Sequence, residues 1–208
     1  MSDIPLESAL VPPAPQLLAA MARRRSVPPA ALSAPAPSHE QLRHMLALAL
    51  RVPDHGLREP WRFVVIDGEA RAELGRGLAP LYRVANPQMD EAKREKFAGI
   101  MERLFLASPM AVVVISRPDR NCAIPVFEQE LSAGAVCMNL LHAAQASGFG
   151  AMWVTGWAAT NPAAATLIGA REGEKIAGIV HLGTAASVPP ERPRPDAEAL
   201  TSFWTPSI

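Results

Sequence analysis

The chain has 208 residues, 49% of them hydrophobic and 19% charged, and its 20 basic residues are matched by 20 acidic ones. That length and balance fit one folded domain with its own core and exclude a disordered chain. A net charge of zero leaves no electrostatic footprint for nucleic acid or acidic lipid, and no apolar stretch reaches the length of a membrane span.

Met1 to Pro15 carries acids early and prolines late, without a basic-then-apolar leader pattern, so a cytoplasmic location is expected. Residues 1–15 read as an arm. Gln16 to Arg24 forms a short helix through Leu17, Leu18 and Met21. Val27 to Pro37 holds too many prolines for regular structure. Ser38 followed by Gln41 is a capping-box signature, and a helix then runs to about Leu50 with Leu42, Met45, Leu46 and Ala49 on one face. Pro53 stops it.

Arg62 to Asp67 reads as a strand. Ala70 to Tyr82 and Met89 to Leu106 read as helices. Ala111 to Ile115 is a continuous β-branched run and therefore an internal strand. Glu128 to Ser147 is the longest helical pattern, with small residues at Ser132 to Ala135 and a stop at Gly148. Ala151 to Thr155 is a short strand and Ala163 to Ile168 a short helix. Ile176 to Leu182 is a strand closed by Gly183. The 21 prolines gather in connections and in the tail, which ends on Phe203 and Trp204. The order predicts an α+β fold with a mixed, mainly antiparallel sheet flanked by helices. Its expected organisation is an arm (1–15), one domain (16–186) and an extension (187–208) that packs on the domain or on a partner subunit.

Four segments carry more chemistry than turns require. Arg23-Arg24-Arg25-Ser26 suits a phosphate clamp, because guanidinium binds phosphate oxygens bidentately; it equally suits a basic helix end facing the macrodipole. Arg51-Val52-Pro53-Asp54-His55, leading to Glu59-Pro60-Trp61, places His55 as a base, a ligand, a wall for a bound ring, or a plain surface histidine. Gly148-Phe149-Gly150 through Trp153-Val154-Thr155-Gly156-Trp157 allows backbone to approach a flat ligand closely, or simply stops a helix and starts a buried strand. Arg192 and Arg194, on a proline-stiffened tail, reach a phosphate or belong to a solvated linker.

No nucleophile elbow, Walker loop or G-x-G-x-x-G is present. Cys122 and Cys137 lack metal-ligand spacing, as do His39 and His44, and Cys137 reads as inert core. Cationic donors and aromatics without a nucleophile suit a bound redox cofactor that carries the reaction.

Taken in order, these segments resemble the FMN-dependent nitroreductase family, in particular its short bacterial NAD(P)H-dependent members. The likeness runs from about Leu17 to Thr184. It rests on Arg24-Arg25-Ser26, on Arg51 to His55 with Pro60-Trp61-Arg62-Phe63, on Glu128 to Gly134, on Gly148-Phe149-Gly150 with Trp153, and on Leu182-Gly183-Thr184. The resemblance implies an intertwined homodimer with FMN shared at the interface. It implies that Arg24, Arg25 and Ser26 hold the phosphate and ribityl end, and that Arg51 and His55 reach FMN from the partner subunit. Trp153, Val154 and Thr155 would line the ring or its tail, with a backbone N–H of Thr155 or Gly156 facing flavin N5. Arg194 would add a phosphate contact. Ala143 to Gly148 matches a segment associated with the nicotinamide nucleotide.

The implied activity takes hydride from NADH or NADPH and reduces nitroaromatic, quinone or similar electrophilic acceptors in a ping-pong cycle; the alternative is a flavin-binding or flavin-sequestering protein with little turnover. Three departures stand out, one being that the tail beyond Ala185 does not align well, with Arg192 or Arg194 as its source of a phosphate contact. Glu59 occupies a position where such proteins often carry Gln, and is expected to turn away or pair with Arg58. Val154 stands where similar proteins can carry Arg.

Overall fold

The computed structural model describes residues 13–187 and 189–206. Helix α1 spans Pro15–Arg23, α2 His39–Ala49, α3 Ala70–Ala85, α4 Glu91–Glu102, α5 Val126–Ala146, α6 Gly156–Thr160 and α7 Pro162–Ile168. Strand β1 spans Leu32–Ser33, β2 Trp61–Asp67, β3 Met110–Ser116, β4 Gly150–Val154 and β5 Lys175–Ala185. The expected arm falls mostly outside the described residues.

The sheet is built on β5. One edge of β5 pairs with β3, which pairs in turn with β2; the other edge pairs with β4 and, at its end, with β1. All four pairings are antiparallel, so the parallel component of a mixed sheet does not occur among the described residues.

Every residue of β3 is buried. Its alternation decides the layering, because successive side chains point to opposite faces of a sheet. Met110, Val112 and Val114 join a core with α2 and α5, including Leu42, Met45, Val136 and Leu140. Ala111, Val113 and Ile115 join a second core with Leu78 of α3, Phe105 and Ile168 of α7. Helices thus cover both faces, which is why the β3 sequence is apolar without interruption.

The α2 capping box forms as expected: Ser38 Oγ accepts the Gln41 N–H at 3.2 Å, and the Gln41 side chain accepts the Ser38 N–H at 2.9 Å. Cys137 is fully buried and its thiol is pushed up to about 12 by burial, so it is inert.

Several boundaries differ from expectation. Met89–Leu106 does not form one helix; Asp90 caps α4 through its carboxylate on the Lys93 N–H, and Phe105 enters the core from a separate turn. Gly183 does not close β5. The strand runs on to Ala185 because the missing Cβ lets Ser33 of β1 and Pro109 approach; a Cβ there would lie 2.9 Å from Ser33 O and 2.8 Å from Pro109 Cγ. The proline-rich stretch 27–37 nevertheless contributes the two residues of β1. Helix α6 was not foreseen at all.

Candidate functional site

Arg23 ends α1, and Arg24 is extended, with φ −58° and ψ 126°. The chain then runs beside β4, where the Val27 N–H donates to Ala151 O at 3.0 Å. That bond fixes Arg24, Arg25 and Ser26 at the start of β4. Arg24 Nη1 lies 3.5 Å from Ser26 Oγ. The Arg25 side chain is mostly buried, and its Nη1 has no hydrogen-bond partner among the described residues; its nearest counter-charge is Glu191 Oε1 at 3.8 Å.

The same carboxylate is held by Arg194 at 2.7 Å. The Arg192 backbone N–H, then the Arg194 side chain, hold the Glu191 carboxyl below its ordinary range. Burial lowers the Arg24 guanidinium, and the neighbouring Arg194, Arg192 and Arg25 charges lower it further. Four guanidiniums therefore crowd one place with a single carboxylate among them.

Beside them opens a cavity of about 210 Å³, lined by Arg24, Arg25, Gln145, Gly148, Phe149 and Ser187. Gln145 Nε2 donates to Ala20 O at 3.3 Å, while its buried Oε1 has no partner among the described residues. One turn earlier on α5, His142 is pushed toward its neutral form by burial and by Arg24. A cavity with excess cation, an orphaned buried guanidinium nitrogen and a spare acceptor fits an anionic phosphate followed by a hydroxylated chain.

Arg51 and His55 lie elsewhere. Asn139 Nδ2 donates to Arg51 O at 2.8 Å, Ser132 Oγ donates to Pro53 O, and His55 Nδ1 sits 2.9 Å from Glu128 Oε2. The loop is preset. Gly56, Leu57 and Glu59 hold φ of +70°, +52° and +47°, and the Asp54 carboxylate accepts the N–H groups of Arg58 and Glu59 at 3.0 and 2.9 Å. Left-handed backbone at Leu57 and Glu59 costs about 1 kcal/mol or more per residue, and Asp54 offsets it. Arg58 pairs with Asp119 at 3.8 Å rather than with Glu59.

From Glu128 to His142 along α5 is 14 residues, or about 21 Å. One chain therefore leaves His55 far from the arginine cluster, and Arg51 lies between them.

Residues 153–156 form the third group. Trp153 faces α5, and its Nε1 donates to Ala177 O at 3.2 Å. Val154 faces the opposite core. Thr155 and Gly156 turn the chain into α6, with Gly156 at φ +64° and open space where a Cβ would stand. That exposed backbone suits close approach by a flat ligand.

The sequence reading passed over His142 and the role of Glu191, and it touched Gln145 only within the Ala143 to Gly148 segment. His142 and Gln145, three apart on α5 and just before Gly148, were visible as a polar pair on a helix of mostly apolar character.

Comparison with known proteins places the chain in a family. The model of the family described as "Nitroreductase family" matches residues 21–184. YdjA of Escherichia coli (strain K12), provisionally named an NAD(P)H nitroreductase, is 34% identical over 178 residues, covering 84% of this chain and 87% of its own. A nitroreductase-like family protein from Bacillus cereus superposes with a TM-score of 0.77 at 25% identity, over 95% of this chain and 99% of its own. A Desulfovibrio desulfuricans protein, provisionally described as a nitroreductase and solved in complex with FMN, gives 0.65 at 25% identity over 91% and 98%. With its family match spanning most of the residues and its α+β architecture in common, the chain belongs to the nitroreductase family of oxidoreductases.

Proposed function

We propose that the protein is an FMN-dependent oxidoreductase that takes hydride from NADH or NADPH and reduces nitroaromatic, quinone or similar electrophilic acceptors in a ping-pong cycle. The observation that carries the reading is the arginine cluster: a mostly buried Arg25 whose Nη1 lacks a hydrogen bond, beside Arg24 and Arg194 at the mouth of a cavity. The Desulfovibrio desulfuricans relative with bound FMN supports the choice of ligand.

Arg24, Arg25, Ser26 and Arg194 hold the phosphate, and Gln145 Oε1 accepts from the adjoining chain. Trp153, Val154, Thr155 and Gly156 line the ring, with open backbone at Gly156. Arg51 and His55 of the partner subunit complete the site, since one chain keeps its own His55 about 21 Å along α5 from its arginine cluster. The His55 imidazole is oriented by Glu128, which fixes one ring nitrogen and frees the other. FMN, when bound, supplies the hydride acceptance and donation. The residues bind, orient and exclude water, and their cations favour the electron-rich form of the cofactor. Phe203 and Trp204 of the tail, exposed on the single chain, pack on the partner.

The test is an absorption spectrum of the purified protein with FMN, before and after anaerobic NADPH and then NADH. A flavin spectrum that bleaches with one donor establishes the oxidoreductase and names the donor. A flavin spectrum that neither bleaches moves the protein to a flavin-binding role, and failure to take up FMN overturns the cofactor assignment.

A further inference from the structure

A carboxylate already stands among the guanidiniums that the flavin reading gives to phosphate. After β5 ends at Ala185, the tail passes the arginine cavity, which Ala185, Ser187 and Pro189 help to line. Glu191 follows directly on Pro189-Pro190. Its Oε1 accepts from the Arg192 backbone N–H at 3.0 Å and from Arg194 Nε at 2.9 Å, and Arg194 Nη2 lies 2.7 Å away. The contact to Arg25 Nη1 is 3.8 Å, beyond hydrogen-bond reach.

The two ends of that last contact differ. Arg25 belongs to the domain and keeps 16% of its side chain exposed, whereas Glu191 belongs to the tail and keeps 61%. A guanidinium holds a carboxylate best through two short parallel bonds, and Arg25 makes none to Glu191. A long, half-solvated pair of this kind contributes little. It still relieves the crowding of Arg24, Arg25, Arg192 and Arg194, whose charges oppose one another.

A phosphate monoester is the stronger partner for the same forks, with close to two negative charges and three acceptor oxygens against one charge and two oxygens. Glu191 has a different advantage. It is tied to the cavity by a few residues of chain, so it competes at high effective concentration. A free phosphate ion must displace it with no other contact to help. A phosphate attached to a ring brings the rest of the ligand's contacts with it.

We propose that Glu191 is a specificity-determining residue: a tethered anion that keeps the arginine cluster from retaining free phosphate and yields to the phosphate of FMN. The exchange breaks one set of ion pairs and forms another. Arg25 and Arg194 leave the carboxylate and take phosphate oxygens, and Glu191 turns into the solvent that already reaches most of its side chain. The inference rests on the phosphate assignment made above and adds which anion the cavity refuses.

The test is calorimetric titration of the purified full chain, freed of flavin, with inorganic phosphate, FMN and riboflavin in turn. The unmodified chain is compared with Glu191→Gln, which keeps the size of the side chain and removes its charge. Phosphate and FMN are each expected to bind the variant roughly fivefold more tightly, the upper range for release of an exposed ion pair. Riboflavin, which carries no phosphate, should bind both chains alike. Glu191→Ala should repeat the pattern. Weaker binding of phosphate and FMN by the variants would overturn the proposal and make Glu191 the group that positions Arg194. Phosphate uptake that is equal in all three chains, or absent from all, would overturn it too, as would riboflavin tightening as much as FMN, which would make Glu191 an obstacle to the ring. If no chain takes up either flavin, the cofactor assignment falls, while the phosphate titration still decides the role of Glu191.

Discussion

Trp153 rests on the bare backbone of Gly178. The register of β5 against β3 shifts here, with Val114 opposite Gly178 and Ile115 opposite Ile176, so Ala177 is the extra residue of a bulge. The bulge turns Ala177 O toward the Trp153 indole N–H, which it accepts at 3.2 Å. A Cβ at Gly178 would lie 2.5 Å from Trp153 Cδ1 and 2.9 Å from Cys137 Sγ. Gly178→Ala must therefore push the indole off its seat. Overpacking of this kind costs about 1–3 kcal/mol. A lower urea midpoint with altered tryptophan fluorescence is expected, and because Trp153 lines the proposed flavin site, FMN affinity should fall as well. An unchanged midpoint would show that the bulge has room to relax.

Burial holds His181 at about 4, below its ordinary 6.5. A folded-state value below the unfolded one means that only the unfolded chain takes up the proton as pH falls through 6.5. The contribution is complete above about 6.5 and is lost progressively toward about 4. At 1.36 kcal/mol per unit, the loss across that window is on the order of 3 kcal/mol. Carboxylates titrate in the same range, so the readout is the difference between proteins. His181→Phe should show a smaller drop in stability between pH 7 and pH 4.5 than the unmodified chain. Parallel pH profiles of the two would place the proton elsewhere.

The Arg62 guanidinium binds the Glu174 carboxylate through two nitrogens, with Nε at 2.8 Å from Oε1, and also donates to Gly169 O. Both side chains are mostly buried. The hydrogen bond from Arg62, more than desolvation, sets the Glu174 carboxyl below its usual range. Removing one partner strands the other, and Glu174→Gln is expected to cost about 3 kcal/mol. Arg62→Met with Glu174→Leu should recover much of that loss. A double variant no better than the single one would show that the Gly169 bond carries the stability instead.

The elements legible in sequence were those whose pattern has a local cause. The α2 capping box and the β3 apolar run belong to this class, since Ser38 and Gln41 are three residues apart and each β3 face is filled by its own alternate side chains. Gly183 was misread because a glycine at a strand end signals a stop, whereas here it admits a neighbouring strand. That distinction depends on Ser33, 150 positions away. The arginines were legible as phosphate chemistry from residue type alone. Glu191, Gln145 and His142 were not, because their significance comes from standing beside Arg24 and Arg25 in space. The buried setting of His181 was invisible for the same reason: only the fold brings its Nδ1 within 2.8 Å of Ser108 Oγ.

Arg25 separates recognition of phosphate from recognition of the ring. Its orphaned Nη1 gains a charge-assisted partner only when an anion enters. Such bonds contribute about 1.5–3 kcal/mol, so Arg25→Ala should weaken FMN binding roughly tenfold to a hundredfold. Riboflavin, which lacks the phosphate, should bind the unmodified chain more weakly and lose little on the substitution. FMN affinity should also fall as salt rises. Equal losses for FMN and riboflavin would mean that Arg25 acts on the ring or on the fold, not on the phosphate.

The last prediction follows from a face that the single chain leaves bare. Phe127 and Leu131 of α5 are 68% and 58% exposed, and Leu17, Leu18 and Met21 of α1 are exposed as well. No residue of α1 is buried, although α1 carries an apolar stripe and packs beside α5 through Gln145 and Ala20. On α5, Phe127, Leu131, Ala135 and Met138 recur at helical spacing, so they share one side. A continuous apolar face of this kind, beside small residues that permit close helix approach, suits a second copy of the chain. The same pairing would bring Arg51 and His55 of the partner subunit to the arginine cluster. Leu131→Asp places a charge in that face, and light scattering should then report monomer where the unmodified chain gives dimer. Because half of the proposed site comes from the other subunit, FMN affinity should fall together with dimerisation rather than separately. A variant that becomes monomeric and still binds FMN tightly would refute the shared site, while a dimer that persists would show that this face is not where the copies meet.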